Sequence, residues 1–178
     1  WFGQNAEIEH PKLTSIPIGI PNSQWIREEI YTEAIAKMDI ERMYLIYFNS
    51  FAKGNNMKER NVCESMLNKA GFHMPERIGV VELMEEYRRS FFVPAPNGNG
   101  IDTHRLWECL YMGAIPIVTR SVNVNHYQDL PIYVLEKWED FDESVFTEEL
   151  YHKMWAYSAF AASDKLDFNY WKKLIQSI

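Results

Sequence analysis

The chain has 178 residues, which is enough for one well-packed core with an appendage but hardly for two domains of the usual size. Hydrophobic residues make up 47% of the chain and aromatic residues 15%, a composition that is typical of a globular protein and excludes a disordered one. The net charge of −7 argues against general affinity for nucleic acid or anionic membranes. An anionic ligand would therefore have to meet local positive charge.

Cysteine, histidine and acidic residues give no pattern of a disulfide framework or a metal site. Cys63 and Cys109 are too few and too far apart for either, so a reducing compartment such as the cytoplasm is expected. The five histidines show no ligand spacing, which predicts no bound zinc. One Asp-x-Asp triplet occurs at residues 140–142, within an acidic stretch, and is interpreted as a solvated turn. No apolar run approaches the length needed to span a bilayer.

The first 71 residues predict extended segments followed by two helices around one strong strand. Prolines and the His10-Pro11 turn favour extended structure over residues 1–20. The further predicted elements are a helix from Asn22 or Ser23 to Met38, a strand at Arg42–Phe51, a polar loop at 52–56 and a helix at Met57–Lys69 stopped by Ala70-Gly71.

The rest of the chain continues this alternation of strands and helices. Strands are predicted at Ser90–Val93, Ala114–Val118 and Pro131–Glu136, and helices at 79–90, at about 103–112 before Gly113, from Thr147 to Ala162 and from Asp167 to Lys173, with a loop or short helix at 123–130. This order predicts an α/β fold with about four parallel strands covered by helices on both faces. Ligands of such sheets collect at the carboxyl edge where the strand order reverses, and loops 50–56, 94–103 and 119–128 are expected to open there.

The segment between the strands at 90–93 and 114–118 predicts an anion site. Its loop Asn97–Gly100 alternates asparagine with glycine and can take positive φ angles. Asp102 or Thr103 is available to cap the helix that follows. Because a helix N-terminus carries unpaired amide groups and the positive end of the helix dipole, a phosphate is the natural guest.

Arg105 and Glu108 lie three residues apart and hence on one face of that helix. A guanidinium group binds phosphate oxygens bidentately, and a carboxylate suits the two vicinal hydroxyls of a ribose. Together these two residues could hold a nucleoside diphosphate.

Several of these features resemble the donor-binding half of exostosin-like, GT-B-type glycosyltransferases, in particular small enzymes of giant-virus and microbial genomes. The likeness covers most of the chain, and its central motif combines several unlike residue types at fixed offsets. It is carried by WFGQN (1–5), HPKLTSIPIGIPN (10–22), the loop glycines, Asp102, His104-Arg105, Trp107-Glu108, Gly113, the strand IPIV (115–118) and LDFNYWKKLI (166–175).

The resemblance implies a C-terminal, Rossmann-like domain that binds a nucleotide sugar during glycan biosynthesis. It further implies transfer to a carbohydrate acceptor with inversion at the anomeric carbon and without a metal or other cofactor. Residues 1–38 would be a remnant of an N-terminal domain with a linker helix, 39–162 the nucleotide-sugar-binding domain and 163–178 a C-terminal helix. The chain begins at Trp1, so we expect a longer protein whose N-terminal domain binds the acceptor and supplies the general base; no catalytic residue is assigned here.

The predicted donor-binding residues have simpler alternative roles. The loop could be an ordinary turn, Asp102 only a helix cap, and the cations or Glu108 solvated surface groups. A non-catalytic nucleotide- or phosphate-binding module and a purely structural domain therefore stay open as alternative functions. The predicted donor-binding residues are Lys53, Arg60, Asn97, Gly98, Asn99, Gly100, Asp102, Thr103, His104, Arg105 and Glu108.

Overall fold

The computed structural model describes residues 1–21, 28–36, 40–51 and 56–177, and within them the chain folds as an α/β protein. The strands are β1 (Phe2–Gly3), β2 (Thr14–Ser15), β3 (Tyr44–Ile46), β4 (Ser90–Pro94), β5 (Ile115–Thr119) and β6 (Tyr133–Leu135). The α-helices are α1 (Glu28–Ala36), α2 (Met57–Lys69), α3 (Val80–Arg88), α4 (His104–Tyr111), α5 (Val122–Asn125), α6 (Glu148–Lys165) and α7 (Phe168–Gln176). Short 3₁₀ turns lie at Trp138–Asp140 and Glu143–Val145.

The main sheet contains four parallel strands in the order β3-β4-β5-β6, which confirms the predicted sheet. The strands follow one another in chain order, because each connection passes through helical segments to the next neighbouring strand. The expected reversal of strand order is therefore wrong for these four strands. A separate parallel pair, β1 with β2, is formed by the N-terminal segment, which we define as residues 1–20.

Alternate side chains of the strands pack against different helical layers, so both faces of the sheet are covered as predicted. Phe92 and Ile117 belong to one core cluster with residues of α2 and α6. Val93 packs in a second cluster with residues of α3 and α4, and Val118 in a third with residues of α4 and α5. Period-two alternation along a strand is the physical reason for this division.

Helix boundaries agree with the prediction where a local signal fixes them. Helix α2 covers the predicted residues and is followed by Gly71 at φ +88°. Gly113 takes φ +75° directly after α4. The side chains of Thr147 and Asp167 accept hydrogen bonds from the backbone amides of residues 150 and 169, and thereby cap α6 and α7. Glycine stops and side-chain caps act within one turn, so the sequence alone identifies them.

Several elements differ from their predicted extents. Strand β6 is shorter than predicted, and α6 and α7 each end three residues later than predicted. Strand β3 is shorter than the predicted segment from Arg42 to Phe51, because as the edge strand it has a hydrogen-bonding neighbour on one side alone within the described sheet. Helix α1 is described from Glu28 to Ala36, and the remaining parts of the predicted helix, 22–27 and 37–38, lie outside the described residues.

The two cysteines and the Asp-x-Asp triplet, for which the sequence predicted no ligand, lie in structural positions. Cys63 and Cys109 are buried free thiols. The 140–142 triplet forms a turn, as predicted, in which Asp142 Oδ1 accepts a hydrogen bond from the Ser144 amide at 3.0 Å. Across the described ranges there is no group of three or more His, Cys, Asp or Glu residues that suits a metal ion. None of the helices in these ranges has the length and apolar character of a membrane span.

Candidate functional site

A cleft of about 420 Å³ lies beside the N-terminus of α4 and gathers nine of the predicted donor-binding residues. The N-terminal segment forms part of its wall, which the donor-site prediction did not include, whereas residues 119–128 do not line it. Asn97 is not among the lining residues, but its backbone carbonyl accepts a hydrogen bond from Arg60, which lines the cleft. Lys53 lies outside the described residues. The cleft is lined by Asn5, Ile18, Phe51, Arg60, Pro96, Gly98, Asn99, Gly100, Asp102, Thr103, His104, Arg105 and Glu108.

Helix α4 begins without a side-chain cap. Thr103 occupies the N-cap position with extended backbone angles, and its side chain accepts no hydrogen bond from the first turn. The prediction that Asp102 or Thr103 caps the helix with its side chain is therefore wrong. Because no cap covers the first turn, its amide groups and the positive end of the helix dipole remain directed towards the cleft.

The carboxylate of Asp102 is instead buried in the protein, with 2% of the residue exposed. Its Oδ2 accepts a hydrogen bond from the Ile18 amide and its Oδ1 accepts one from Trp107 Nε1, both at 2.7 Å. Burial raises the pKa of this carboxyl group to about 6, although the two hydrogen bonds act in the opposite direction. Asp102 thus joins the N-terminal segment to α4.

Two further hydrogen bonds hold the N-terminal segment across the start of α4. The amide of Asp102 donates to Asn5 Oδ1 at 2.7 Å. His104 Nδ1 lies 2.7 Å from the Gly19 carbonyl oxygen, which can only accept, so this nitrogen carries the proton. These contacts place the side chains of Asn5 and Ile18 at the cleft.

The glycines of the loop 97–100 serve close packing. Neither Gly98 nor Gly100 has a positive φ angle, so the expectation of left-handed backbone in this loop is wrong. A Cβ atom on Gly100 would lie 2.1 Å from Asn5 Oδ1, and one on Gly98 would lie 2.9 Å from Arg60 Nη2. The missing side chains allow neighbouring groups to approach the loop backbone.

The start of this loop is fixed by two consecutive residues of α2. The Asn97 amide donates to Glu59 Oε1 at 3.1 Å, and the Asn97 carbonyl accepts from Arg60 Nε at 3.0 Å. Thr119 Oγ1 and Trp138 Nε1 donate to the same Glu59 oxygen, each at 3.0 Å. Sequence reasoning missed Glu59, because the three groups that donate to its Oε1 come from distant segments of the chain.

Two guanidinium groups concentrate positive charge at the cleft. The guanidinium carbons of Arg105 and Arg60 lie 5.4 and 5.6 Å from the centre of the same Phe51 ring. Burial, and then the charge of Arg105, lower the pKa of Arg60. Arg105 Nη2 donates to the Ser50 carbonyl at 2.8 Å, whereas its buried Nη1 has no hydrogen-bond partner within the described ranges. A buried donor without a partner is costly, and an anion would satisfy it.

Glu108 lies on the same face of α4 as Arg105 and is 8% exposed. Its Oε1 accepts a hydrogen bond from the hydroxyl of Tyr31 at 2.7 Å. Burial raises the pKa of Glu108, while the Tyr31 hydrogen bond and the charges of Arg105 and His104 act against this increase. Tyr31, which is 1% exposed on α1, was not predicted because only tertiary packing brings it to α4.

A second cavity, of about 380 Å³, adjoins the cleft. The two cavities share Phe51 and Arg105 as lining residues. The second cavity has an apolar side formed by Ile78, Val80 and Leu83.

No protein-family model matches this chain, and no curated protein matches it either. The function proposed for the chain therefore rests on its sequence and on the geometry of the cleft.

Gly100→Ala is expected to lower the free energy of unfolding by about 1–3 kcal/mol, because the new methyl group collides with Asn5, which is held by Asp102. Gly98→Ala is the matched control, since the end of the Arg60 side chain can move aside. Urea denaturation of both variants measures the difference. Equal losses would contradict the proposed role of close packing at Gly100.

Asp102→Asn is expected to lower the free energy of unfolding by about 1–3 kcal/mol at pH 7. The new side-chain nitrogen would face the N–H group of either Ile18 or Trp107, and two donors cannot form a hydrogen bond with each other. The wild-type carboxyl group binds its proton more tightly when folded, so its contribution to stability is complete below pH 3.8 and is lost as pH rises through about 6. The stability difference between wild type and variant should therefore grow from pH 7 to pH 5 in urea denaturation. A constant difference would show that Asp102 does not titrate there.

Proposed function

We propose that the chain is the nucleotide-sugar-binding part of a GT-B-type glycosyltransferase, which transfers a sugar from a nucleoside diphosphate to a carbohydrate hydroxyl. The observation that carries this proposal is the position of Arg105. Arg105 lines both cavities, and its buried Nη1 has no hydrogen-bond partner among the described residues. Glu108 lines one of these cavities from the same helix face.

The cleft suits a diphosphate because backbone amides, a helix dipole and guanidinium groups all present positive charge there. The uncapped N-terminus of α4 supplies backbone amides and a helix dipole. Arg105 and Arg60 supply full charges close to each other, and an anion between them would relieve their mutual repulsion. These groups favour a ligand with two or more negative charges, in a chain whose net charge is −7.

Glu108 suits the hydroxyl groups of a ribose or sugar. Its Oε1 is held by Tyr31, which fixes the orientation of the carboxylate. A carboxylate accepts hydrogen bonds from vicinal hydroxyls, and fixing it beforehand reduces the entropy lost on binding. In this proposal Tyr31 is a positioning residue for the sugar-binding carboxylate.

A nucleotide sugar has two bulky ends joined by a diphosphate. This shape suits the cleft and the second cavity, which share Arg105 as a lining residue. With the diphosphate at Arg105, the ribose contacts Glu108 in the cleft. The base enters the second cavity, whose apolar side suits a flat aromatic ring.

The chain would assist the reaction by stabilising the leaving diphosphate. Charge develops on the diphosphate as the glycosidic bond breaks, and fixed guanidinium and amide groups stabilise that charge without reorganisation. Inversion at the anomeric carbon also requires a general base for the acceptor hydroxyl. We propose that the chain supplies mainly the donor side of this reaction.

One observation favours a second candidate, a non-catalytic nucleotide-binding module. Asp102 and Glu108, the two carboxylates that line the cleft, both accept hydrogen bonds from protein donors. Neither is thus an obvious general base. Nucleotide binding is common to both candidates, whereas formation of a glycoside product by the complete gene product would exclude the non-catalytic one.

Arg105→Ala is expected to weaken binding of UDP or GDP by at least about tenfold, because a charge-assisted bond to phosphate is lost. Glu108→Gln, which retains an acceptor for Tyr31, should weaken nucleotide binding by about fivefold. Isothermal titration calorimetry of the 178-residue chain measures both. Arg120→Ala is the matched control, because Arg120 pairs with Glu136 on an exposed surface. A folded wild-type chain that binds no nucleoside diphosphate would contradict the proposal and favour a structural domain.

Sugar transfer by the complete gene product should continue in excess EDTA, because amide and guanidinium groups replace a metal at the diphosphate. Mass spectrometry of products from a panel of nucleotide sugars, with and without EDTA, tests this expectation. Turnover that disappears in EDTA and returns with Mg²⁺ would show that a metal is required.

A further inference from the structure

The backbone of Asn5 has an unusual conformation at the wall of the cleft. Its φ angle of 52° lies in the left-handed region, and Asn56 is the other non-glycine residue with positive φ in the described ranges. Asparagine tolerates this region better than most residues, but such conformations are uncommon and cluster at ligand sites. Asn5 lines the cleft together with the loop and the first turn of α4.

The orientation of the Asn5 side chain follows from its hydrogen bond. The Asp102 amide is a donor, so the atom that faces it at 2.7 Å is the oxygen of the Asn5 amide. Because the side-chain amide is planar, its nitrogen lies on the other branch and carries two N–H donors. The absence of a side chain at Gly100 provides the space in which this amide fits.

The oxygen and the nitrogen of the Asn5 side-chain amide thus differ in their surroundings. The oxygen binds the backbone amide that leads into α4, and the nitrogen has no hydrogen-bond partner among the described residues. The surrounding groups of the cleft, Arg60, Arg105 and the N-terminus of α4, favour an anion. A neutral donor at this place binds phosphate oxygen without adding to the repulsion between the two cations.

We propose that Asn5 is a phosphate-binding residue of this cleft, whose Nδ2 donates to a diphosphate oxygen of the bound nucleotide. This assignment rests on the proposed function, and it makes the N-terminal segment part of the donor site. Gly100 and Asp102 are then positioning residues for Asn5, since one admits its side chain and the other orients it.

Asn5→Asp separates binding from structure. The aspartate retains an oxygen for the Asp102 amide, so the variant is expected to fold, but it loses both N–H donors and adds a negative charge at the cleft. Isothermal titration calorimetry should show UDP and inorganic pyrophosphate binding weakened at least about tenfold, with a smaller change for uridine. Asn68→Asp is the matched control, because Asn68 is exposed on α2 and does not line the cleft, and its affinities should stay within about twofold of wild type.

The outcomes distinguish this assignment from the proposed function. Wild-type binding of UDP and pyrophosphate that Asn5→Asp retains would overturn the assignment of Asn5 and leave the nucleotide site in place. A wild-type chain that binds neither probe would overturn the proposed function and the assignment with it. If Asn5→Asp does not fold, Asn5→Gly decides instead, since glycine adopts φ 52° readily and removes the whole amide. Wild-type affinity in that variant would overturn the assignment.

Discussion

The buried carboxylate of Asp102 is the interaction on which the arrangement of the cleft depends. It accepts one hydrogen bond from the N-terminal segment and one from α4, through Ile18 and Trp107. A carboxylate at this depth is costly unless its oxygens are satisfied, and burial raises its pKa to about 6 although both hydrogen bonds lower it. The carboxylate joins two segments that are 84 positions apart in sequence.

The electrostatics of the cleft contrast with those of the whole chain. The protein is acidic overall, yet two guanidinium groups lie over one aromatic ring beside an uncapped helix N-terminus. Like charges at this separation repel, and cation-π contact with Phe51 compensates in part. Glu108 provides the opposite charge on the next turn of α4, where Tyr31 fixes one of its oxygens. This arrangement supports the proposed binding of a ligand with both anionic and hydroxyl groups.

The two walls of the cleft are supported by different parts of the fold. The N-terminal segment is fixed through Asp102, Asn5 and His104, whereas the glycine-rich loop is fixed through Glu59 and Arg60 of α2. Glu59 receives donors from the loop, from β5 and from the 3₁₀ turn at Trp138. Because each wall has its own supports, a ligand between them would contact groups whose positions are already determined.

The sequence by itself determined the features that depend on neighbouring residues. Strand and helix periodicity predicted the four parallel strands, and Gly71, Gly113, Thr147 and Asp167 marked helix boundaries, because stops and caps act within one turn. The same reasoning placed Arg105 and Glu108 on one helix face, since residues three apart are neighbours in any α-helix.

Only the tertiary structure decided which groups those residues meet. The contacts of Asp102 with Ile18, of Glu108 with Tyr31 and of Asn97 with Glu59 join residues that are 84, 77 and 38 positions apart. The role of Gly100 also depended on such a contact, because it accommodates Asn5 and not a left-handed turn. Hydrogen bonds of this kind require the sheet and its helices to be assembled first, so no local pattern in the sequence contains them.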